Sequence, residues 1–358
     1  MTHLPIINSL AVTKLDLAEN SISHINPEGF SGIPNIETLD LSKNKLDDES
    51  LGPNLLSNLT FLKKLNLDGN HLTKIPALPP SLEELRMNSN QLDSLTPHCF
   101  MGLVNLLSLQ LQDNILYEGN VSPLAFKPLE RIVDLRLDNN RFRFFPQGLP
   151  SSLQELRISD NQIEDVTEEA LSGCVHLRLL NLSHNVLHEQ SIAARAWTNL
   201  TALEDLDMSY NRLTSVPMHL PRPLRHLTLQ HNAIRHIPAH IFRHLRPGLK
   251  SLFLSHNVLG DDGLERFSFA GTYRTLGKLL LDNNRLEEVP RWLRQFKNLQ
   301  VLRLDNNQIR SLRQWGVCHP RNSGSSLTSV HLENNLLEVE KIPPKAFSCL
   351  IDAQGLVL

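Results

Sequence analysis

Fourteen times along the chain the frame L-x-x-L-x-L-x-x-N-x-L recurs, beginning at Val12, Ile36, Leu62, Leu82, Leu106, Ile132, Leu153, Leu177, Leu203, Leu224, Leu249, Leu276, Leu299 and Leu327. In the copy LQVLRLDNNQI, alternation through Leu302 and Leu304 predicts a strand with one buried face. The asparagine that follows, Asn307, carries an amide suited to the backbone groups that a tight bend leaves unpaired. Such a short unit cannot bury its own apolar face, so each copy needs another on either side. The asparagine is kept in every copy from Asn20 to Asn335.

This pattern is the leucine-rich repeat. It predicts an α/β leucine-rich-repeat solenoid: a curved horseshoe with a parallel β-sheet on its concave face and mostly irregular or extended convex returns. The array is expected over residues 1–314 and an enlarged terminal repeat with its cap over 315–358. His3-Leu4-Pro5 matches Lys74-Ile75-Pro76 and Ser215-Val216-Pro217, which follow the asparagine in other copies. Met1 therefore reads as lying inside a repeat whose strand and N-terminal cap are missing, as in a fragment or an isoform with an internal start. The opening MTHLPIINSL has no basic stretch and is broken by Pro5, so it does not read as a signal peptide.

The repeat starts are spaced 24, 26, 20, 24, 26, 21, 24, 26, 21, 25, 27, 23 and 28 residues apart, a short–long–long rhythm from Leu62 onward. Short copies return through proline-rich segments such as LTKIPALPPSL, where fixed φ and a missing donor suit an extended edge. Long copies carry a central phenylalanine, as in INPEGFSGIPNI and LTPHCFMGLVNL, expected to plug the convex side of the core. The net charge of −3 raises no field that points to nucleic acid or membrane, and no apolar run approaches the roughly 20 residues that span a bilayer.

Cys99 and Cys174 fall on returns three repeats apart, too distant to bridge, and are expected to be free thiols. Cys318 and Cys349 flank the last full copy. A disulfide between them would clamp an enlarged terminal repeat and argues for an oxidising compartment.

The rhythm, together with the two-cysteine terminal repeat ending KAFSCL, resembles the small leucine-rich proteoglycans of the extracellular matrix, and within them the podocan-like members. The resemblance covers essentially the whole chain. It implies a secreted matrix glycoprotein that binds collagen or other matrix proteins, and sometimes growth factors. The family's N-terminal cluster of four cysteines is absent from this chain. Ser-Gly pairs such as Ser323-Gly324 lack the nearby acidic residues that favour glycosaminoglycan attachment. Sequons occur at Asn58, Asn120, Asn181 and Asn199. The first, second and fourth belong to convex returns, whereas Asn181 belongs to a strand and faces the concave side.

The middle outward residue of each strand forms one file on the concave face: Asp16, Asp40, Asn66, Arg86, Gln110, Arg136, Arg157, Asn181, Asp207, Thr228, Phe253, Leu280, Arg303 and His331. Partner binding is expected at Arg86, Arg136, Arg157, Asp207, Phe253, Leu280 and Arg303. Adjacent Arg136 and Arg157 form a mixed-charge strip with neighbouring acids, against which a collagen would lie. Phe253 and Leu280 read as an apolar anchor left in water. From Met208 to Gly260 there is no Asp or Glu. A heparin or heparan sulfate site is expected there, using Arg222, Arg225, Arg235, Arg243, His244, Arg246 and Lys250 and centred on FRHLRPGLK.

No Gly-rich phosphate loop, HExxH or CxxC motif is present, so a non-enzymatic scaffold is expected, with no cofactor and no metal. His226, His231 and His256 read as solvated histidines of the concave side rather than zinc ligands. The competing reading is the ligand-recognition ectodomain of a leucine-rich-repeat receptor or adhesion protein, which does not explain the cysteine pair and the rhythm.

Overall fold

The computed structural model describes residues 1–321 and 326–358, so the Ser323-Gly324 pair lies outside the described residues. The chain divides into two compact units, Met1–Leu180 and Asn181–Leu358. The expected terminal repeat lies within the second.

In the first unit each leucine frame yields a three-residue strand: β1 (Lys14–Asp16), β2 (Thr38–Asp40), β3 (Lys64–Asn66), β4 (Glu84–Arg86), β5 (Ser108–Gln110), β6 (Asp134–Arg136) and β7 (Glu155–Arg157). Consecutive strands pair in parallel, leucine against leucine, from Leu15 to Leu156. Strand β8 (Leu179–Asn181) falls at the division. The second unit continues with β9 (Asp205–Asp207), β10 (His226–Thr228), β11 (Ser251–Phe253), β12 (Lys278–Leu280), β13 (Val301–Arg303), β14 (Ser329–His331) and β15 (Leu356–Val357), again parallel and in register. Each unit is thus a parallel β-solenoid. Among the described residues the helical content is limited to three-residue 3-10 turns, such as Glu118–Asn120. No helix is long and apolar enough to cross a membrane among them.

The frame leucines are sealed inside, with Leu39, Leu85, Leu206 and Leu302 at 1% exposure or less. Phe30, Phe100 and Phe242 close the other side of the core, as their place in the long returns predicts. The repeat asparagines tie one coil to the next. Asn211 Oδ1 accepts from Leu187 N at 2.9 Å, while its Nδ2 donates to Leu182 O, Met208 O and Ser209 O at 2.9, 3.0 and 3.1 Å. Asn44, Asn140 and Asn284 repeat the arrangement.

The turn that brings each asparagine inward requires a left-handed residue just before it. Glu19, Lys43, Gly69, Ser89, Asp113, Asn139, Asp160, His184, Tyr210, His231, His256, Asn283, Asn306 and Asn334 all have φ between 52° and 66°. Ten of these fourteen are Gly, Asn, Asp or His, types that tolerate this region better than branched residues; the other four are Glu19, Lys43, Ser89 and Tyr210. His3 forms a parallel bridge to His24, as Ser215 does to His236, in keeping with its match to the post-asparagine segments.

Cys318 and Cys349 are joined, with Cα atoms 5.5 Å apart, and both are buried. Cys99 and Cys174 are free. Burial pushes the Cys99 thiol up to about 12 and that of Cys174 up to about 11.

Candidate binding surfaces

Because strand side chains alternate, the outward file in the first unit runs through Arg86, Gln110, Arg136 and Arg157, one residue per registered strand. Like charges would oppose each other where Arg136 faces Arg157, and Asp134 resolves the conflict. Its Oδ2 takes Arg136 Nε at 3.4 Å and its Oδ1 takes Arg157 Nη1 at 3.3 Å. Arg157 Nη1 also reaches Glu155 Oε2 at 3.0 Å. Asp138, the next acid, is turned to the Ser159 backbone N–H at 2.7 Å and hydroxyl at 2.8 Å. Desolvation pushes its carboxyl above the usual range. Arg86 is held by Asp68 at 2.7 Å. The strip is therefore charged, half-buried and internally paired.

In the second unit Asp207 Oδ1 accepts from the Ser209 N–H at 2.9 Å and hydroxyl at 2.6 Å. Phe253 and Leu280 are registered neighbours. Both are half-buried among adjacent strands, which corrects the expectation of an anchor left in water. Arg303 forks onto Asp305 through Nε at 3.0 Å and Nη2 at 2.8 Å. His331 Nδ1 lies 2.9 Å from Glu333 Oε1.

The basic segment does not form one surface. Arg222 and His244 line a groove of about 760 Å³ on the return side, together with Arg195, Trp197, His219 and His240. No acidic residue lines it, and among the described residues neither Arg195 nor Arg222 has an ion-pair partner. Arg225 and Lys250 stand elsewhere, immediately before β10 and β11. Arg235 shares a depression with Asp261, Asp262 and Glu287. Arg243 is exposed, but Arg246 turns its Nη1 back onto the carbonyls of Arg243 and Leu245 at 2.7 and 2.8 Å. His244 Nε2 lies 2.7 Å from Leu220 O. Arg195, His219 and His240 were not among the expected site residues, because nothing in a repeat frame brings three successive returns to one groove.

The histidines are also redistributed. His226 Nδ1 meets Ser251 Oγ at 3.0 Å. His231 and His256 sit at left-handed turn positions, in a stack His184–Tyr210–His231–His256. Its centroid steps are 4.0, 4.2 and 4.2 Å. Of the sequons, Asn58, Asn120 and Asn199 are exposed in returns and Asn181 is half-buried at the end of β8.

A family profile described as "Leucine rich repeat" matches residues 11–72, 80–142, 130–187 and 151–213, and another residues 249–268. Podocan-like protein 1 of Homo sapiens is 33% identical over 338 residues, which is 94% of this chain and 64% of that protein. Podocan of Mus musculus is 31% identical over all of this chain and 57% of its own length. Lumican of Gallus gallus is 33% identical over 74% of this chain and 76% of its own. The chain thus spans under two thirds of the podocan-like proteins it matches. A chain in a complex of Latrophilin 3, Unc5D and FLRT2 superposes with a TM-score of 0.67 at 24% identity, covering 88% of this chain and 91% of its own. A leucine-rich-repeat protein of Leptospira interrogans does so at 0.71 and 22%, covering 93% and 92%. These two likenesses concern the fold alone.

Proposed function

Since the chain belongs to the small leucine-rich proteoglycan family of leucine-rich-repeat proteins, we propose that it is a non-enzymatic, secreted scaffold of the extracellular matrix that binds protein partners through its strand faces, fibrillar collagen first among them. The observation that carries this reading is the strip around Asp134. Arg136 and Arg157 share one carboxylate and remain 36% and 25% exposed, so each guanidinium keeps donors to offer. Both guanidiniums stay open to water on one side, and ion pairs screened in this way hold their members weakly. A partner bearing both charges, as a collagen triple helix does, can exchange these internal pairs for intermolecular ones at little cost.

The test is solid-phase binding to fibrillar collagen by the double variant Arg136→Gln/Arg157→Gln. Glutamine removes the charge without setting a new carboxylate against Asp134 and Glu155. Binding should be lost while the far-UV spectrum and melting cooperativity stay those of the parent. Normal binding by the folded variant places the collagen site elsewhere.

Glycosaminoglycan binding is a second reading, supported by the groove with Arg195 and Arg222 on its walls and no acid in its lining. A sulfated chain seated there would bind more weakly as salt rises. Heparin-column elution should move to lower salt in Arg195→Ser/Arg222→Ser and not in Arg235→Ser, whose neighbours are acids. Equal shifts in the two would remove the groove from the reading.

A further inference from the structure

At the end of the second unit, Asp305 and Glu333 occupy equivalent positions just after β13 and β14, and His331 is the outward residue two before Glu333. Donor atoms of the three side chains all lie within 4.8 Å of one another. Asp305 is 1% exposed, and Arg303 and Asn306 already donate to it, the latter through Nδ2 at 3.1 Å. His331 Nδ1 and Glu333 Oε1 are in hydrogen-bond contact at 2.9 Å.

Two further observations bear on what this cluster is for. Glu333 Oε2 is shut off from solvent and has no hydrogen-bond partner. A buried acceptor left unpaired costs about 1–3 kcal/mol, and more when it carries charge. The second observation is the charge count. Asp282, 4% exposed, stands one strand before Asp305 in the same outward file. Arg303 donates to Asp305 through Nε at 3.0 Å and Nη2 at 2.8 Å, so one guanidinium serves this group of carboxylates. Three carboxylates against one guanidinium leave an excess of two negative charges.

We propose that Asp305, His331 and Glu333 form a binding site for a divalent transition-metal ion, zinc being the species that fits. Zinc takes imidazole nitrogen and carboxylate oxygen at about 2.0–2.2 Å. Donors already gathered at the outward face of two adjacent strands reach such a shell by side-chain rotation alone. Calcium asks for about 6–8 oxygens and magnesium for a nearly complete octahedron of them, and an imidazole in the set favours the transition ion over both. The ion takes the place of the proton shared by His331 and Glu333 and gives Glu333 Oε2 a partner. Asp305 keeps Arg303 on its remaining lone pairs, as an outer partner that orients it. The divalent charge cancels the excess of two. Three protein ligands leave a fourth position for water or for a carboxylate of a docked partner. The His231–His256 pair is a poorer seat, because stacked rings 11° from parallel aim their lone pairs side by side rather than at one point.

The experiment is zinc titration of the chelator-treated, tag-free chain by calorimetry, with melting temperature followed in parallel. One saturable equivalent and a rise in melting temperature are expected, with millimolar magnesium or calcium producing neither. His331→Ala and Glu333→Gln should each weaken the uptake at least about tenfold, the scale on which even outer-shell partners matter. His231→Asn/His256→Asn should leave it unchanged. Should either ligand variant fail to fold, absorption spectroscopy of cobalt bound to the parent chain still decides, a four-coordinate spectrum with mixed nitrogen and oxygen donors being expected. Absence of saturable uptake, uptake kept by both ligand variants, or uptake lost with the stacked histidines would each overturn the site.

Discussion

The imidazole of His231 lies against that of His256 with centroids 4.2 Å apart and planes 11° from parallel. Tyr210 covers the opposite side of His231 at 4.2 Å. Neutral rings gain from this contact, whereas two protonated imidazoles at that distance repel. Burial, then the charges of His256 and His184, hold the His231 pKa below its ordinary value, with Asp282 opposing them. The unfolded chain therefore binds a proton more readily than the folded one, and stability falls as pH drops below about 6.5. His231→Phe, which keeps the stack and cannot titrate, should flatten the loss of melting temperature between pH 7 and pH 5.5. An unchanged slope would show that the stack does not sense protons.

Asn211→Leu should destabilise the second unit by at least about 1–3 kcal/mol, since it leaves the Leu187 N–H and the Leu182 carbonyl without their bridge. Asn283 is an unsuitable control despite its outward position, because its φ of 53° makes leucine strained there too. Asn54, exposed in a return, serves instead. Equal urea midpoints for Asn211→Leu and Asn54→Leu would contradict the asparagine bridge.

What could be read from residues alone follows from what is periodic. The leucine frame locates β1 to β14, because a frame residue has one place to go once its neighbours on both sides are copies, whereas the two-residue β15 lies beyond the last copy. It also makes Arg136 the neighbour of Arg157, and Phe253 of Leu280. It could not place Asp134 between the two arginines, since that depends on rotamers. Nor did it place His184, Tyr210, His231 and His256 in one stack. The clue was available in the run of Gly, Asn, Asp and His before the repeat asparagine, but only the left-handed backbone shows why that position exists. The groove lined by Arg195 and Arg222 draws on returns of unequal length, where no period governs the register.

Cys99 and Cys174 should resist thiol reagents at pH 8 in the folded chain and react once it is unfolded in urea, because burial holds their thiols near about 12 and about 11. The same shifts make stability depend on alkali. Both groups ionise in the unfolded chain at about 8.5. Their contribution is therefore complete below that pH and is lost as pH rises toward the folded values. Unfolding free energy of Cys174→Ala should fall less steeply between pH 9 and pH 10.5 than that of the parent, by up to about 1.4 kcal/mol per pH unit. Parallel curves would contradict the burial of the Cys174 thiolate cost.

The four sequons should separate by geometry when the chain is expressed through a secretory route. Asn58 and Asn199 are exposed in returns, where a glycan meets only water. Asn120 is exposed as well, but its Nδ2, the atom a sugar would occupy, donates to Asp93 O at 3.3 Å, so its occupancy should be lower. Asn181 ends β8, is half-buried, and its Oδ1 accepts from Ser183 N at 3.0 Å. Leu182 N donates to Asp207 O at 2.8 Å, which sets Asn181 beside Asp207 on the outward file where a matrix partner is proposed to dock. A glycan rooted there would stand between that part of the sheet and any protein ligand. Peptide mapping after amidase treatment in heavy-oxygen water should therefore mark Asn58 and Asn199 fully, Asn120 partly, and Asn181 little or not at all. Asn181→Gln should leave collagen binding as it is. Full occupancy of Asn181 in material that still binds collagen would confine docking to surfaces away from this file, and would detach Asp207 from the proposed interface.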